Sequence, residues 1–174
     1  MIGVSGSGKS TTAHALAAQR PGTAAISYDG CREELTGDAG DQSATAAAVA
    51  LAHQRLDHRC RDHRSTVLDG THVIAEHRQA VLAIAARHQV PVVAVVVHNP
   101  LATCLARQAE REAGVPGVRW GRRVPTAVIH EQHADLNTSL PLLASEGYAA
   151  VYHLHTDGRQ RSCPDTSAAV KHRR

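Results

Sequence analysis

The sequence predicts an α/β protein, a three-layer sandwich in which a mostly parallel sheet of about five strands has helices on both faces. Short apolar segments alternate with helical patterns through the first 155 residues of the 174-residue chain. Repeated alternation of this kind gives parallel strands joined by right-handed crossovers. Residues 92–97 form an almost continuous β-branched run, which is typical of a strand buried on both faces of a parallel sheet. The length fits a single domain.

Five segments supply the predicted strands. Met1 and Ile2 form the first, and residues 23–28, 66–68, 92–97 and 149–155 form the others. Since only two residues precede Gly3, either the first strand is unusually short or the natural chain starts upstream. Ligands of open parallel α/β sheets bind at the carboxyl ends of the strands, so the loops that follow these segments are the places to look for function.

Helices are predicted over residues 9–19, 41–60, 75–88 and 101–113, followed by a helical stretch that is broken near Pro141. Three of these helices carry a stripe of mostly apolar residues along one face. The stripes are Ala13, Leu16 and Ala17 in the first helix, Val49, Ala52, Leu56 and Cys60 in the second, and Val81, Ile84, Ala85 and His88 in the third. They predict which sides of the helices pack inward.

Composition excludes several classes of protein. No apolar run approaches the ~20 residues that span a bilayer. Four cysteines without a CxxC pair or a secretory signal favour a reducing compartment. With three Tyr, one Trp and no Phe, the chain cannot bind single-stranded nucleic acid mainly by base stacking. The thirteen histidines show no HExxH spacing. We therefore expect a cytoplasmic protein without a membrane segment.

The net charge of +3 is concentrated at one end of the chain. Basic side chains exceed acidic ones by three within residues 157–174, so residues 1–156 are balanced. The final segment is polar and is predicted to be a disordered basic tail, which leaves residues 1–156 as the folded domain. A neutral domain favours a focused anion site over a long surface for a polyanion.

A phosphate-binding loop lies between the first strand and the first helix, where residues 3–10 match GxxxxGK[ST] in full. Its glycines let backbone N–H groups surround phosphate oxygens, and the helix N-terminus adds positive potential. Lys9 is placed to reach the β- and γ-phosphates, and the Ser10 hydroxyl is placed to ligate Mg²⁺. The predicted nucleotide contacts are Gly3, Ser5, Gly6, Ser7, Gly8, Lys9, Ser10 and Thr11. The motif predicts NTP binding, and no NKxD-type guanine signature supports a GTPase.

Two aspartates follow predicted strands. Asp29 lies at the carboxyl end of the second strand, where its carboxylate can accept the proton of an attacking hydroxyl. Arg32, three residues on, is placed to hold an acceptor phosphate bidentately. Asp69 follows residues 66–68 and is interpreted as a Walker-B-like ligand of Mg²⁺ or water. Each pattern also fits a turn aspartate, with Arg32 as a surface arginine.

Residues 107–124, approximately, are predicted to form an arginine-rich lid. Arg107 and Arg111 share a helix face at i,i+4 spacing. The following residues, 114–125, are rich in Gly, Pro and Arg, as a hinged closing loop requires. Between residues 107 and 123 five arginines stand against two glutamates. The alternative is a solvated arginine-rich face.

Six short segments occur in a characteristic order. They are residues 3–11; Ser27-x-Asp29-x-x-Arg32; Gly37-Asp38-x-x-Asp41-Gln42-Ser43-Ala44-Thr45; Asp69-Gly70-Thr71; Cys104-Leu-x-Arg107; and Glu146-Gly147-Tyr148. In this ordered set the chain, from residue 1 to about 155, resembles the kinase domain of bacterial 5′-hydroxyl polynucleotide kinases, which belongs to a wider group of small P-loop phosphotransferases.

The resemblance implies a P-loop kinase fold and a set of roles. Asp29 is then the general base, Arg32 binds the 3′-phosphate of the acceptor, and Arg107 and Arg111 are lid arginines that engage ATP. The implied reaction is Mg²⁺-dependent transfer of the ATP γ-phosphate to a 5′-OH end of RNA or DNA. The implied cofactors are therefore ATP and Mg²⁺.

Two other functions stay open. A kinase of small-molecule alcohols, such as a metabolite, nucleoside or antibiotic, fits the small size, the neutral domain and Glu131, which stands where that module usually has arginine before Gln132. A nucleotide-binding regulator without transfer activity is the third possibility, although Asp29 and Arg32 argue against it.

Overall fold

The computed structural model of the chain describes residues 1–112 and 123–155. Its α-helices are α1 (Lys9–Ala18), α2 (Tyr28–Thr36), α3 (Thr45–Arg61), α4 (Ala75–Arg87), α5 (Leu101–Glu112) and α6 (Thr126–Ser139), with 3-10 turns at Gln42–Ala44 and Leu140–Ser145. Its strands are β1 (Ala24–Ser27), β2 (Thr66–Asp69), β3 (Val93–His98) and β4 (Ala150–His155).

The predicted helices and four of the predicted strands are confirmed, with ends shifted by a few residues. The largest shift is in α3, which begins at Thr45 rather than at residue 41 because a 3-10 turn occupies Gln42–Ala44. Helix α2 is an addition that the sequence did not predict. Most of the predicted lid, residues 113–122, and the predicted tail, residues 157–174, lie outside the described residues.

The strands form two parallel pairs rather than one continuous sheet. β1 pairs with β2, so that Ser27 lies opposite Asp69, and β3 pairs with β4, so that His98 lies opposite His155. For the described residues, the prediction of one sheet of about five strands is therefore wrong. The α/β class and the parallel strand direction are confirmed.

The segment of residues 1–3 lies between the two pairs and explains the difference. Ile2 N donates to Val95 O and Val97 N donates to Ile2 O, both at 2.8 Å. Beyond the end of β2, Gly3 N donates to Thr71 O at 2.9 Å. This segment is too short for a hydrogen-bonded ladder, so it connects β2 with β3 through isolated bonds and does not count as a strand. The carboxyl ends of β2 and β3 consequently lie on either side of Gly3.

Two apolar clusters form the core. One includes Ile2, Val4, Ala94, Val96, Cys104, Ile129, Leu136 and Leu143, and the other includes Ile26, Ala48, Ala52, Leu56, Cys60, Leu68, Ile84 and Ala85. The predicted stripe of α3 is confirmed at three positions, with Ala48 fully buried and Val49 only partly buried. In the described part of the chain, none of the helices is long and apolar enough to cross a membrane.

Candidate active site

The N-terminus of α1 is open toward the loop that precedes it. Gly8 caps the helix with φ 100°, a left-handed conformation that favours glycine, and no side chain accepts a hydrogen bond from the first turn. The first N–H groups of a helix have no intrahelical acceptor, and the helix dipole places positive potential there. The first turn contains no acidic residue, and Ser10 and Thr11 are exposed on it. This end of α1 fits an anionic ligand such as phosphate.

Two further glycines of the loop are required by close packing. A Cβ atom at Gly3 would lie 2.7 Å from Val97 O, and one at Gly6 would lie 2.6 Å from Cys104 O. Both distances are shorter than real Cβ contacts, and Gly6 has φ 85°. Gly3 is therefore fixed against the end of β3 and Gly6 against the first turn of α5.

Lys9 folds back over the loop. Its Nζ donates to Val4 O at 2.8 Å, and the residue is 7% exposed. Burial lowers the pKa of Lys9 to about 8, and the negative charges of Asp69 and, less strongly, Asp29 oppose that shift. The ammonium group thus lies in the field of both aspartates that the sequence singled out. The structure brings Lys9, Asp29 and Asp69 together at one edge of the strands.

Asp69 and Ser10 carry oxygen atoms of the predicted metal site and lie at or next to this edge. Asp69 is the last residue of β2 and is 5% exposed, and Ser10 lies in the first turn of α1. A carboxylate and a hydroxyl are hard oxygen donors of the kind that Mg²⁺ prefers, usually with phosphate oxygens and water completing its shell. The chemistry of the two side chains therefore fits the predicted magnesium ion.

Asp29 and Arg32 form an ion pair at the start of α2. Ser27 caps this helix by accepting a bond from Gly30 N at 3.2 Å, which places Asp29 in the first turn. Arg32 Nη1 donates to Asp29 Oδ1 at 2.6 Å and to Ala39 O at 2.8 Å. The arginine is 4% exposed, whereas the aspartate side chain is 46% exposed. The buried arginine fixes the orientation of an accessible carboxylate.

One donor of Arg32 stays unused within the described residues. Its Nε is buried and has no hydrogen-bond partner there. An unpaired buried donor is costly, roughly 1–3 kcal/mol, and more for a charged group. Asp29 Oδ1 and Ala39 O occupy Nη1, so in the predicted role of Arg32 an acceptor phosphate would bind the other donors of the guanidinium.

The arginines of α5 lie beside the loop. Arg107 Nη1 donates to Gly6 O at 3.0 Å, which ties the helix to the loop. Arg111, one turn on, is close enough for its charge to act on the pKa of Lys9, and its buried Nε has no partner among the described residues. Arg107 thus contacts the loop directly, and Arg111 lies within electrostatic range of Lys9.

Two loop contacts were not found from the sequence. Gln132 of α6 accepts a bond from Ser5 N at 2.9 Å, and Asn99, just after β3, donates to Ser7 O at 3.5 Å. Ser7 is itself 1% exposed. Gln132 lies 127 positions from Ser5, so no local pattern indicates their contact.

A short extended segment bonded to β3, a glycine-rich loop that matches GxxxxGK[ST] and an uncapped helix N-terminus together define a P-loop nucleotide-binding protein. A family model described as an AAA domain matches residues 1–138 of the chain. The chain therefore belongs to this family, a P-loop NTPase and kinase-like family that includes polynucleotide-kinase-like kinases. No curated protein matches the sequence.

Proposed function

We propose that the protein is an ATP-dependent kinase that transfers the γ-phosphate of ATP to a hydroxyl group, with the 5′-OH end of RNA or DNA as acceptor. The observation that carries the proposal is the position of Asp29, a 46% exposed carboxylate that Arg32 Nη1 holds at 2.6 Å. Asp29 follows Ser27, which lies opposite Asp69 at the end of the β1–β2 pair. A simple nucleotide-binding site needs no accessible carboxylate such as Asp29. A transferase needs one to accept a proton from the acceptor.

The loop residues bind the nucleotide in this proposal. The open N–H groups around Gly8 and the first turn of α1 hold the phosphate oxygens, and Lys9 contacts the β- and γ-phosphates. Ser10 and Asp69 would hold Mg²⁺, which when bound neutralises phosphate charge. The Lys9 ammonium has three N–H donors and uses one of them on Val4 O, so the others can turn to the phosphates. Burial favours this contact because it leaves the ammonium poorly solvated.

Asp29 accepts the proton of the acceptor hydroxyl. As the acceptor oxygen bonds to the γ-phosphorus, the bond from that phosphorus to the bridging oxygen breaks, and ADP leaves with the bonding electrons. Arg32 holds Asp29 Oδ1 at 2.6 Å and leaves Oδ2 to take the proton. Arg107 and Arg111 stabilise the charge that moves onto the phosphate oxygens.

Acidic residues around Asp29 favour a second candidate function. Glu33, on α2, and Asp38, on the loop that follows it, are exposed, whereas Glu34 is paired with Arg55. Carboxylates at the acceptor side repel a polyanion more than they repel a neutral alcohol. A small-molecule alcohol on the same catalytic groups is therefore the alternative acceptor.

An acceptor panel separates the candidates. The protein is supplied with γ-labelled ATP and Mg²⁺ together with a 5′-OH oligonucleotide, the same oligonucleotide carrying a 5′-phosphate, or a set of small alcohols. We expect label on the 5′-OH oligonucleotide and none on its 5′-phosphorylated control. Label only on a small alcohol establishes the alternative, and tight ATP binding without transfer to any acceptor contradicts a kinase.

A further inference from the structure

A partly buried polar cluster is centred on Tyr28, the residue that precedes Asp29. The Tyr28 hydroxyl lies 3.1 Å from His53 Nε2 and 3.1 Å from His72 Nε2. Tyr28 precedes Asp29 at the start of α2, His53 lies on α3, and His72 lies on the loop after β2. His72 is 6% exposed, so one phenol hydroxyl joins three separate segments of the chain.

The direction of these hydrogen bonds follows from their acceptors. His72 Nδ1 lies 2.8 Å from Met1 O, and because a carbonyl can only accept, Nδ1 carries the proton. Burial lowers the pKa of His72 to about 3, so the ring is neutral and its Nε2 accepts from the Tyr28 hydroxyl. The Tyr28 oxygen then accepts from His53 Nε2–H. The cluster thus forms an ordered chain of bonds from His53 through Tyr28 to His72.

The atoms around this series of hydrogen bonds are closely packed. A Cβ atom at Gly70 would lie 2.6 Å from Tyr28 Cε2 and 2.8 Å from His72 Cε1. His72 itself has φ 44°, a left-handed conformation that is uncommon for residues other than glycine. Backbone strain of this kind persists only where surrounding contacts over-determine the conformation. Gly70, Tyr28 and His72 therefore form one closely fitted unit.

We infer that Tyr28 and His72 are positioning residues that hold Asp29 at a fixed place relative to the phosphate-binding loop. One end of the unit is the peptide that joins Tyr28 to Asp29. The other end is His72, which bonds to Met1 O next to the segment that enters the loop, while its neighbour Thr71 accepts from Gly3 N. The inference rests on the proposed function, in which Asp29 is the base.

Removal of the Tyr28 hydroxyl tests the inference. Tyr28→Phe keeps the ring against Gly70 and deletes both hydrogen bonds, and the matched control is Tyr152→Phe, at a 58% exposed tyrosine of β4. Because misplacement of a catalytic group by 1 Å can cost ~10²-fold, we expect kcat to fall by ~10-fold or more in Tyr28→Phe. The KM for ATP stays within about twofold, because the loop is unchanged. We expect the same result, a lower kcat at an unchanged KM for ATP, in His72→Asn, because asparagine tolerates a left-handed backbone conformation.

Hydrogen exchange gives a readout that does not require activity. The amides of Arg32 and Glu33 donate to the carbonyls of Tyr28 and Asp29 in a regular helix. We expect these amides to exchange faster in Tyr28→Phe than in Tyr152→Phe, although the two variants have the same melting temperature. Unchanged kcat and unchanged exchange overturn the inference. If the native protein phosphorylates no acceptor, the proposed function fails, and exchange alone decides whether Tyr28 positions the start of α2.

Discussion

At the scale of single residues, Lys9 is the clearest example of a side chain placed against its solvation preference. Lysine is almost never fully buried unless it is paired, yet Lys9 is 7% exposed. Its partner in this structure is a neutral carbonyl, Val4 O, and burial lowers its pKa to about 8. At pH 7 roughly nine-tenths of such a group is still protonated. A poorly solvated cation of this kind gains more from an incoming phosphate than a solvated one does.

Gly6 allows a residue-scale test of the loop. Gly6→Ala forces a Cβ to within 2.6 Å of Cys104 O at φ 85°, whereas Gly37→Ala has a similar φ of 76° and open space around the new atom. Both variants bear the strain of a left-handed alanine, and only Gly6→Ala must also displace backbone. We expect about 1–3 kcal/mol more destabilisation in Gly6→Ala, with loss of nucleotide affinity. Thermal unfolding measures the stability of the two variants, and ATP titration measures their nucleotide affinity. Equal stability and equal affinity in the two variants would contradict the expectation.

At the scale of elements, the start of α2 could be predicted only in part from the sequence. The position of Asp29 just after β1 was predicted, because a strand and the residues that follow it are local features. Helix α2 itself was not predicted, since it has only nine residues and its two buried residues, Cys31 and Arg32, are adjacent rather than spaced along one helix face. The burial of Arg32 depends on Ala39 and on helix packing, which no spacing within the sequence reveals.

Another element-scale feature is the buried ion pair between α4 and the turn before β4. Arg78 Nε donates to Glu146 Oε2 at 2.7 Å, and Arg78 also donates to His72 O and Val73 O. The side chains are 1% and 8% exposed. Glu146 was singled out as part of a motif, and its partner lies 68 positions away, beyond what the sequence pattern could indicate. The pair joins the loop after β2 to the segment that leads into β4.

Breaking this pair should destabilise the protein strongly. Glu146→Leu leaves a buried guanidinium without its anion, which typically costs about 3–5 kcal/mol. The control is Glu34→Leu, which breaks an Arg–Glu pair whose side chains are 42% and 54% exposed and should cost about 1 kcal/mol or less. Urea unfolding measures both changes. Similar losses for the two variants would show that Arg78 and Glu146 do not act as a buried pair.

The histidines of β3 and β4 predict that folding stability decreases in acid. His98 stacks with His153 and His155 at ring-centroid distances of 5.1 and 4.7 Å. Burial, with the neighbouring imidazoles second, lowers the pKa of His98 from 6.5 to about 4. The unfolded chain therefore binds more protons than the folded one between these values, and stability present above pH 6.5 is lost as the pH falls toward 4.

Substitution of His98 checks this pH dependence. We expect the free energy of unfolding of the native protein to fall by about 1 kcal/mol more than that of His98→Gln between pH 6.5 and 4, after allowance for solvent screening. His130→Gln, at an exposed position of α6, serves as the control and should keep the native slope. An identical pH slope in His98→Gln and the native protein would contradict the assignment.

At the scale of the whole molecule, local patterns predicted most of the structure and long-range pairing decided the rest. The alternation of strands and helices and the phosphate-binding motif are properties of neighbouring residues, and they gave the α/β class and the loop between the two strand pairs. The division of the strands depends on Ile2 meeting β3 and Gly3 meeting Thr71, contacts between distant parts of the chain. Likewise, the balanced charge of residues 1–156 favoured a local anion-binding site. In the structure, Lys9, Arg107 and Arg111 lie around the phosphate-binding loop.

The central claim is that this fold brings a base, Asp29, to a bound ATP. Single-turnover transfer from γ-labelled ATP with Mg²⁺, measured for the native protein and for Asp29→Asn on a 5′-OH oligonucleotide and the small-alcohol panel, tests it most directly. The asparagine keeps an oxygen for Arg32 and cannot accept the proton. We predict transfer by the native protein and a decrease of ~10² or more in Asp29→Asn at unchanged ATP affinity. Equal transfer rates for the two proteins would contradict the claim.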